Sequence, residues 1–347
     1  MRAVVAERTG PPEILHVVDV APREPRPREI RIAVKACGVC FHDVVVRNGT
    51  FRRGVEMPVI LGHEVAGTVE KIGSEVRGLS RGDLVATTAH SHVCGDCRHC
   101  RSGHETSCPD RIFLGDAGLN GGYAELVCMD ADAVQKVPAG MTPEEASIVA
   151  CSIGTELNAV RDVGRVRLGE RVLVTGAGGG LGLHGVQLSH LAGAFTIAVT
   201  SSASKASRIR EAGADEVIVV ERGQSFSDSV RRITNDRGVD VAIDNVGSPV
   251  FEATRRSMAD CGRIVLVGQV TGDFLSINPA QLFLRNISIL SAKGVSRTQL
   301  ADALDLVARR QIRPIVEDVC ALENAAEAHR RVEAGAATGR LVLSPTR

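Results

Sequence analysis

Val174-Thr175-Gly176-Ala177-Gly178-Gly179-Gly180-Leu181-Gly182 decides the architecture of this 347-residue chain. The apolar run Arg171–Thr175 leads into it, and Leu181–Leu191 follows with helical spacing. A strand, a glycine turn and a helix in that order build a phosphate site. The glycines permit a tight turn and let phosphate oxygens approach the backbone, while the helix start offers free N–H groups and a partial positive charge. Gly176, Gly179 and Gly182 recur every third residue, not as a strict G-x-G-x-x-G. A plain turn is the alternative use of such a cluster. Its place between strand and helix marks Gly176, Gly178, Gly179, Gly180 and Leu181 as candidate dinucleotide contacts.

Downstream, apolar runs at Thr196–Thr200, Glu216–Val220, Val239–Asn245, Arg263–Val267 and Ile287–Ser291 alternate with helical patterns. Those patterns cover Ser204–Ala212, part of Ser225–Asp236, and Pro249–Met258. Buried strands alternating with helices predict a parallel sheet covered on both faces. The end of the second strand distinguishes the cofactors. An acid there holds the ribose hydroxyls of NAD. Here Val199-Thr200-Ser201-Ser202-Ala203-Ser204-Lys205 has no acid. Thr200, Ser201, Ser202 and Lys205 suit a 2′-phosphate, so NADP(H) is expected in preference to NAD(H), with NAD(H) still possible. A solvated helix residue is the plainer reading of Lys205.

Upstream of about Ser152 the pattern changes to short strands broken by Gly and Pro. Glu29–Lys35, Val65–Ile72 and Asp83–Thr87 read as half-buried strands, and Arg23–Arg28 as a surface connector. Within this part, Cys94, Cys97, Cys100 and Cys108 are spaced C-x2-C-x2-C-x7-C in a polar stretch. Four thiolates this close can surround one Zn²⁺ and leave no open position, as a structural zinc site does. The metal would then supply most of the local stability. Two disulfides in a secreted domain are the alternative, although one loop carrying all four thiols suits a metal better. The C-terminal stretch predicts a helix with Leu300, Leu304 and Val307 on one face, capped by Ser296, and a strand at Leu341–Leu343.

The length fits two domains. Basic and acidic residues number 41 each, so no charge surplus points to nucleic acid or an anionic membrane. Trp is absent and Tyr occurs once, which removes an aromatic base-stacking surface. No signal peptide or membrane-spanning run is evident. With ten cysteines, this favours a reducing cytoplasm.

Gly38-Val39-Cys40 with Asp43, Gly62-His63-Glu64, the four-cysteine lobe, Gly121-Gly122-Tyr123-Ala124-Glu125, Cys151, the glycine turn and Gly339-Arg340 span essentially the whole chain. Together they resemble the zinc-containing medium-chain alcohol dehydrogenase/reductase superfamily. The resemblance implies a GroES-like β-barrel catalytic domain over residues 1–152, with the zinc lobe at about 90–110. A Rossmann NAD(P)-binding domain over 153–292 follows, and 293–347 return to the catalytic domain. It implies a catalytic zinc held by Cys40, His63 and Cys151, with Glu64 as its neighbour, beside the structural zinc of the lobe. Asp43 would orient His63, and Cys37 would be core. Thr155 would lie beside the nicotinamide, Val246, Val267 and Gly268 would end strands at the cofactor cleft, and Arg340 would meet the pyrophosphate.

The implied activity is hydride transfer between a nicotinamide and a small alcohol/carbonyl substrate, by a homodimer or homotetramer. Two departures bear on this. The glycine turn and missing acid look more like the quinone- and enoyl-reductase branches. Position 42, a proton-passing Ser or Thr in the alcohol dehydrogenases, is His42 here. Reduction of an activated C=C bond, acryloyl-CoA-like or quinone, is the rival activity. A non-catalytic nucleotide or metal sensor is the rival of another class.

Overall fold

The computed structural model describes residues 1–51 and 53–346. It divides into two compact units, Met1–Gly154 with Gly294–Arg310 and Pro314–Arg347, and Thr155–Lys293 with Gln311–Arg313.

The first unit is organised around one strand, Glu29–Val39. Its first half pairs antiparallel with Leu126–Asp130, and its second half with Arg340–Ser344. Glu64–Ile72 lies antiparallel along its other edge. Leu84–Thr87 and Val134–Lys136 extend the sheet on one side, and Val316–Ala321 on the other. Alternation predicts this strand only to Lys35. It continues because Ala36, Cys37 and Val39 are buried on both faces, where alternation vanishes from the sequence. The register has a direct consequence. Gly38 lies opposite Glu64, and Val39 opposite Leu341. One strand therefore ends where two neighbours begin, which gathers Cys40, His63, Glu64 and Arg340 at one sheet edge.

Ile30, Ile32, Leu61, Val65, Met129, Leu341 and Leu343 fill the core beneath that sheet. Burying each such side chain stabilises the fold by roughly 1.5–3 kcal/mol. The Arg297–Ala308 helix begins as its sequence predicts. Ser296 Oγ accepts from Gln299 N–H at 3.2 Å, and Leu300, Leu304 and Val307 are buried. Arg297 pairs with Glu105 at 2.7 Å, tying this helix start to the cysteine lobe.

The second unit is a six-stranded parallel sheet. Across the sheet the strands run Glu216–Val219, Phe195–Thr200, Arg171–Val174, Val239–Asp244, Met258–Leu266 and Ser288–Ser291. Numbered along the chain this is 3-2-1-4-5-6, the Rossmann order, which reverses between Arg171–Val174 and Val239–Asp244. Leu173, Ile197, Ala242 and Ile264 bury the sheet, as the apolar runs predict. Two boundaries differ from expectation. Met258–Leu266 starts early because Met258 and Ala259 are buried, and the Ser204–Ala212 pattern divides into a tight turn, Ala203–Lys205, and a helix, Ala206–Glu211. Among the described residues no helix is long and apolar enough to cross a membrane.

Candidate active site

Cys40 ends the Glu29–Val39 strand and caps the Phe41–Arg47 helix. His63 directly precedes the Glu64–Ile72 strand. Cys151 arrives from the helical segment Val149–Gly154. The ligand atoms of Cys40, His63, Glu64 and Cys151 all lie within 4.8 Å of one another. Cys40 and Cys151 Sγ are 3.8 Å apart. The Glu64 carboxylate lies over Gly38, where a Cβ would sit 2.1 Å from Oε2, so only glycine leaves it room. Cys37 is fully buried in the core and outside this group.

Two thiols and a carboxylate buried this close cannot all ionise readily, even with Arg340 beside them. The Cys40–Cys151 contact, with help from Arg340 and His63, holds the Cys40 thiol well below its usual range. The same contact, added to burial, holds Cys151 well above it. Burial raises Glu64 to about 7, against the pull of Arg340. The first proton leaves the thiol pair readily and the second does not. A divalent metal ion removes that conflict, since it binds thiolates and neutral imidazole. Asp43 Oδ1 lies 3.2 Å from His63 Nδ1, which leaves Nε2 for the metal. The donor set fits zinc.

His42 lies beside this group, its ring 5.4 Å from that of His63 and 4.7 Å from Phe113. Its Nε2 is 2.7 Å from Asp116 Oδ1. Asp116 and Phe113 were missed at the sequence level. They sit more than 70 residues away, Phe113 in the short strand Ile112–Phe113 and Asp116 in the turn after it, and no spacing rule links them to position 42.

The second cysteine group is separate. The Sγ atoms of Cys94, Cys97, Cys100 and Cys108 also lie within 4.8 Å of one another. Backbone N–H groups of Cys94, Cys97 and Cys100 point at Sγ of Cys108, Cys94 and Cys97, at 3.3–3.5 Å. The bonds from Cys97 and Asp96 draw the Cys94 thiol down to about 7, whereas burial pushes Cys100 up to about 12. This set closes on itself, as a structural zinc site does.

In the second unit the glycine turn follows Arg171–Val174 at the reversal of strand order. Gly178 is pressed against Lys205, whose Cδ would lie 2.6 Å from a Cβ at that position. Lys205 is itself buried, not a solvated helix residue. Thr200 Oγ1 accepts from Ser202 N–H at 3.2 Å, folding Ser201 and Ser202 around the strand end. Sequence reasoning missed Asp244. Its Oδ1 accepts from Thr175 Oγ1 at 2.7 Å and from Val246 and Gly247 N–H at 3.0 Å. Its carbonyl accepts from Val267 and Gly268 N–H. Asp244 thus gathers Val246, Val267 and Gly268 beside the glycine turn. Thr155 opens this unit and is buried.

Residues 26–139 match the alcohol dehydrogenase GroES-like domain family, and 212–343 match the zinc-binding dehydrogenase family. The chain is 32% identical to an acryloyl-coenzyme A reductase of Sulfurisphaera tokodaii, over 99% of this chain and 100% of that protein. It is 33% identical to an NAD-dependent alcohol dehydrogenase of Saccharolobus solfataricus, again over 99% and 100%. The crystal structure of AibC superposes with a TM-score of 0.91 at 43% identity, covering 99% of this chain and 95% of that one. The chain belongs to the zinc-containing medium-chain alcohol dehydrogenase/reductase superfamily. It is an oxidoreductase.

In this dehydrogenase/reductase Arg340 lies against the cluster of Cys40, His63, Glu64 and Cys151. It is buried, with Nη2 2.8 Å from Glu64 Oε1 and 3.7 Å from Cys151 Sγ, and Nε donating to Ser152 Oγ at 2.8 Å. Strand pairing at Val39–Leu341 brings it there, and its charge is balanced within the first unit.

The same enzyme buries Glu156 completely, and burial raises its carboxyl to about 8 against a weaker pull from Asn245. The folded state then keeps a proton that the unfolded chain loses above about 4.5. That stabilisation is full below this value and is lost as pH rises towards 8, at roughly 1.4 kcal/mol per pH unit. Glu156→Gln should flatten the fall in melting temperature between pH 5 and 8. Parallel melting curves for the two proteins would refute it.

Proposed function

We propose that the enzyme transfers a hydride between NADP(H), in preference to NAD(H), and a small alcohol/carbonyl pair. The observation that carries this reading is the buried Cys40–His63–Glu64–Cys151 cluster with the His42–Asp116 pair beside it. When bound there, zinc supplies Lewis-acid stabilisation of charge on the substrate oxygen. The chain's own groups do the rest. Asp116 is acceptor-only when ionised, so neutral His42 donates through Nε2 and keeps Nδ1 as its basic nitrogen. In alcohol oxidation Nδ1 takes the hydroxyl proton, and in carbonyl reduction it returns one to oxygen. Arg340 balances the negative charge of the ligand set.

The NADP(H) preference rests on Thr200, Ser201, Ser202 and Lys205. A carboxylate in place of Thr200 would repel a 2′-phosphate and bind ribose hydroxyls. Thr200→Asp should therefore move kcat/KM towards NAD(H), by about tenfold or more in the ratio. Wild-type preference for NAD(H) would remove the basis for the claim.

A second reading, reduction of an activated C=C bond, is favoured by the imidazole at position 42 and by the similarity to an acryloyl-coenzyme A reductase. Assaying aldehydes, alcohols, quinones and enoyl thioesters with both cofactors separates the two. Turnover of the thioester without alcohol oxidation would select the second.

A homodimer or homotetramer is the proposed assembly. Ser288–Ser291 is an open sheet edge, and Ile289, Phe283 and Leu284 are exposed nearby. A monomer in light scattering would contradict it. A cytoplasmic setting goes with this reading, because both metal clusters need their cysteines reduced.

A further inference from the structure

Asp43 belongs to a chain of buried polar groups that continues well past the metal ligands. Its Oδ2 accepts from Cys40 N–H at 2.9 Å and faces the Tyr123 hydroxyl at 3.1 Å. Its Oδ1 faces His63 Nδ1 at 3.2 Å and Gly62 N–H at 3.3 Å. The Tyr123 hydroxyl also lies 3.2 Å from His329 Nε2. Asp43, Tyr123 and His329 are each at most 1% exposed. Tyr123 follows Gly121-Gly122 in the first unit, and His329 comes from the Ala325–Glu333 helix.

The chemistry of the groups sets the direction of every bond. An ionised carboxylate only accepts, so Asp43 takes the single hydroxyl proton of Tyr123. That hydroxyl can then only accept from His329, which must carry its proton on Nε2. On the other side Asp43 takes the Nδ1 proton of His63, which leaves the Nε2 lone pair towards Cys40, Glu64 and Cys151. Each residue in the series therefore has its proton or tautomer fixed by the next. A second tether holds the helix that supplies His329. Arg47, at the end of the Phe41–Arg47 helix, pairs with Glu333 at 2.8 Å.

We infer that Tyr123 and His329 are positioning residues for the catalytic metal. His329 orients the Tyr123 hydroxyl, the hydroxyl holds Asp43, and Asp43 holds His63 in the tautomer and orientation a metal ligand needs. This rests on the reading of Cys40, His63, Glu64 and Cys151 as a zinc site.

The test uses zinc-loaded protein carrying Tyr123→Phe, His329→Leu, His329→Gln, or Tyr123→Phe with His329→Leu. One measurement is the rate at which a chromophoric chelator removes each metal ion, with the cysteine-lobe zinc as internal reference. The other is the visible absorption of cobalt exchanged into the catalytic site. Outer partners of metal ligands typically contribute 10–100-fold in affinity. Tyr123→Phe and His329→Leu should each release the catalytic-site metal about tenfold faster and shift the cobalt bands, with the lobe unchanged. The double variant should be no faster than Tyr123→Phe alone, since His329 acts through that hydroxyl. His329→Gln should restore slow release, because its amide N–H can occupy the place of Nε2–H. Wild-type release rates in both single variants overturn the proposal. So do additive effects in the double variant, or equal acceleration at both metal sites, which is general loosening. A wild-type protein that binds only the lobe metal overturns the zinc reading itself, and does so before any variant is compared.

Discussion

Cys151→Ser is expected to abolish turnover and to remove one zinc ion per chain while leaving the other in place. Cys151 supplies one of two thiols in a cluster whose ligand atoms lie within 4.8 Å of one another. A serine hydroxyl stays protonated at neutral pH and is a poor zinc ligand. The variant would keep His63, Glu64 and Cys40 but lose the second thiolate. The Cys94–Cys108 set is a separate group in the first unit and should retain its metal. Elemental analysis should return about two zinc ions in the wild type, one for each ligand set, and about one in the variant. Cys97→Ser should do the reverse, loosening the lobe and lowering the melting temperature while the catalytic metal stays bound. Full turnover by Cys151→Ser with both ions bound would end the division into catalytic and structural sites.

His42→Ala is expected to lower kcat on the order of a hundredfold, the low end for general acid–base catalysis. The bond to Asp116 leaves one basic nitrogen on a half-buried ring, 5.4 Å centre to centre from that of His63 in the proposed metal site. Removing the ring removes the proton acceptor, and KM should change less than kcat. Asp116→Asn should cost less, because the imidazole remains and loses only its orienting partner. His42→Thr should recover part of the loss if a hydroxyl can pass the proton, as in the alcohol dehydrogenases. If His42→Ala alters only KM, the residue shapes the pocket and the proton leaves by another route.

The sequence made the repeating parts legible. Strands of the second unit are apolar runs closed by turn residues, and the glycine turn stands where strand passes to helix, so their order could be read along the chain. The lobe was legible because all four ligands fall within fifteen residues. Cys40, His63 and Cys151 carry no such local signal and were recognised only through resemblance. Register explains their meeting, since Gly38 opposite Glu64 and Val39 opposite Leu341 are facts about pairing that no single strand contains. Asp116, Asp244 and the pairing of Arg340 with Glu64 were illegible for the same reason. Each is a polar residue whose partner is brought in by another element, and a lone Asp or Arg in sequence reads as surface.

Tyr123 is the only tyrosine of a chain that has no tryptophan. The eight phenylalanines absorb at shorter wavelength, so the longest-wavelength near-ultraviolet band and the fluorescence excited there come from one phenol ring. That ring is fully buried and hydrogen-bonded to Asp43, the carboxylate behind the proposed ligand His63. Loading or stripping of the catalytic metal should change its emission without any added label, while events confined to the cysteine lobe should leave it steady. The enzyme carries its own optical reporter, fixed at the one place where its chemistry would be watched.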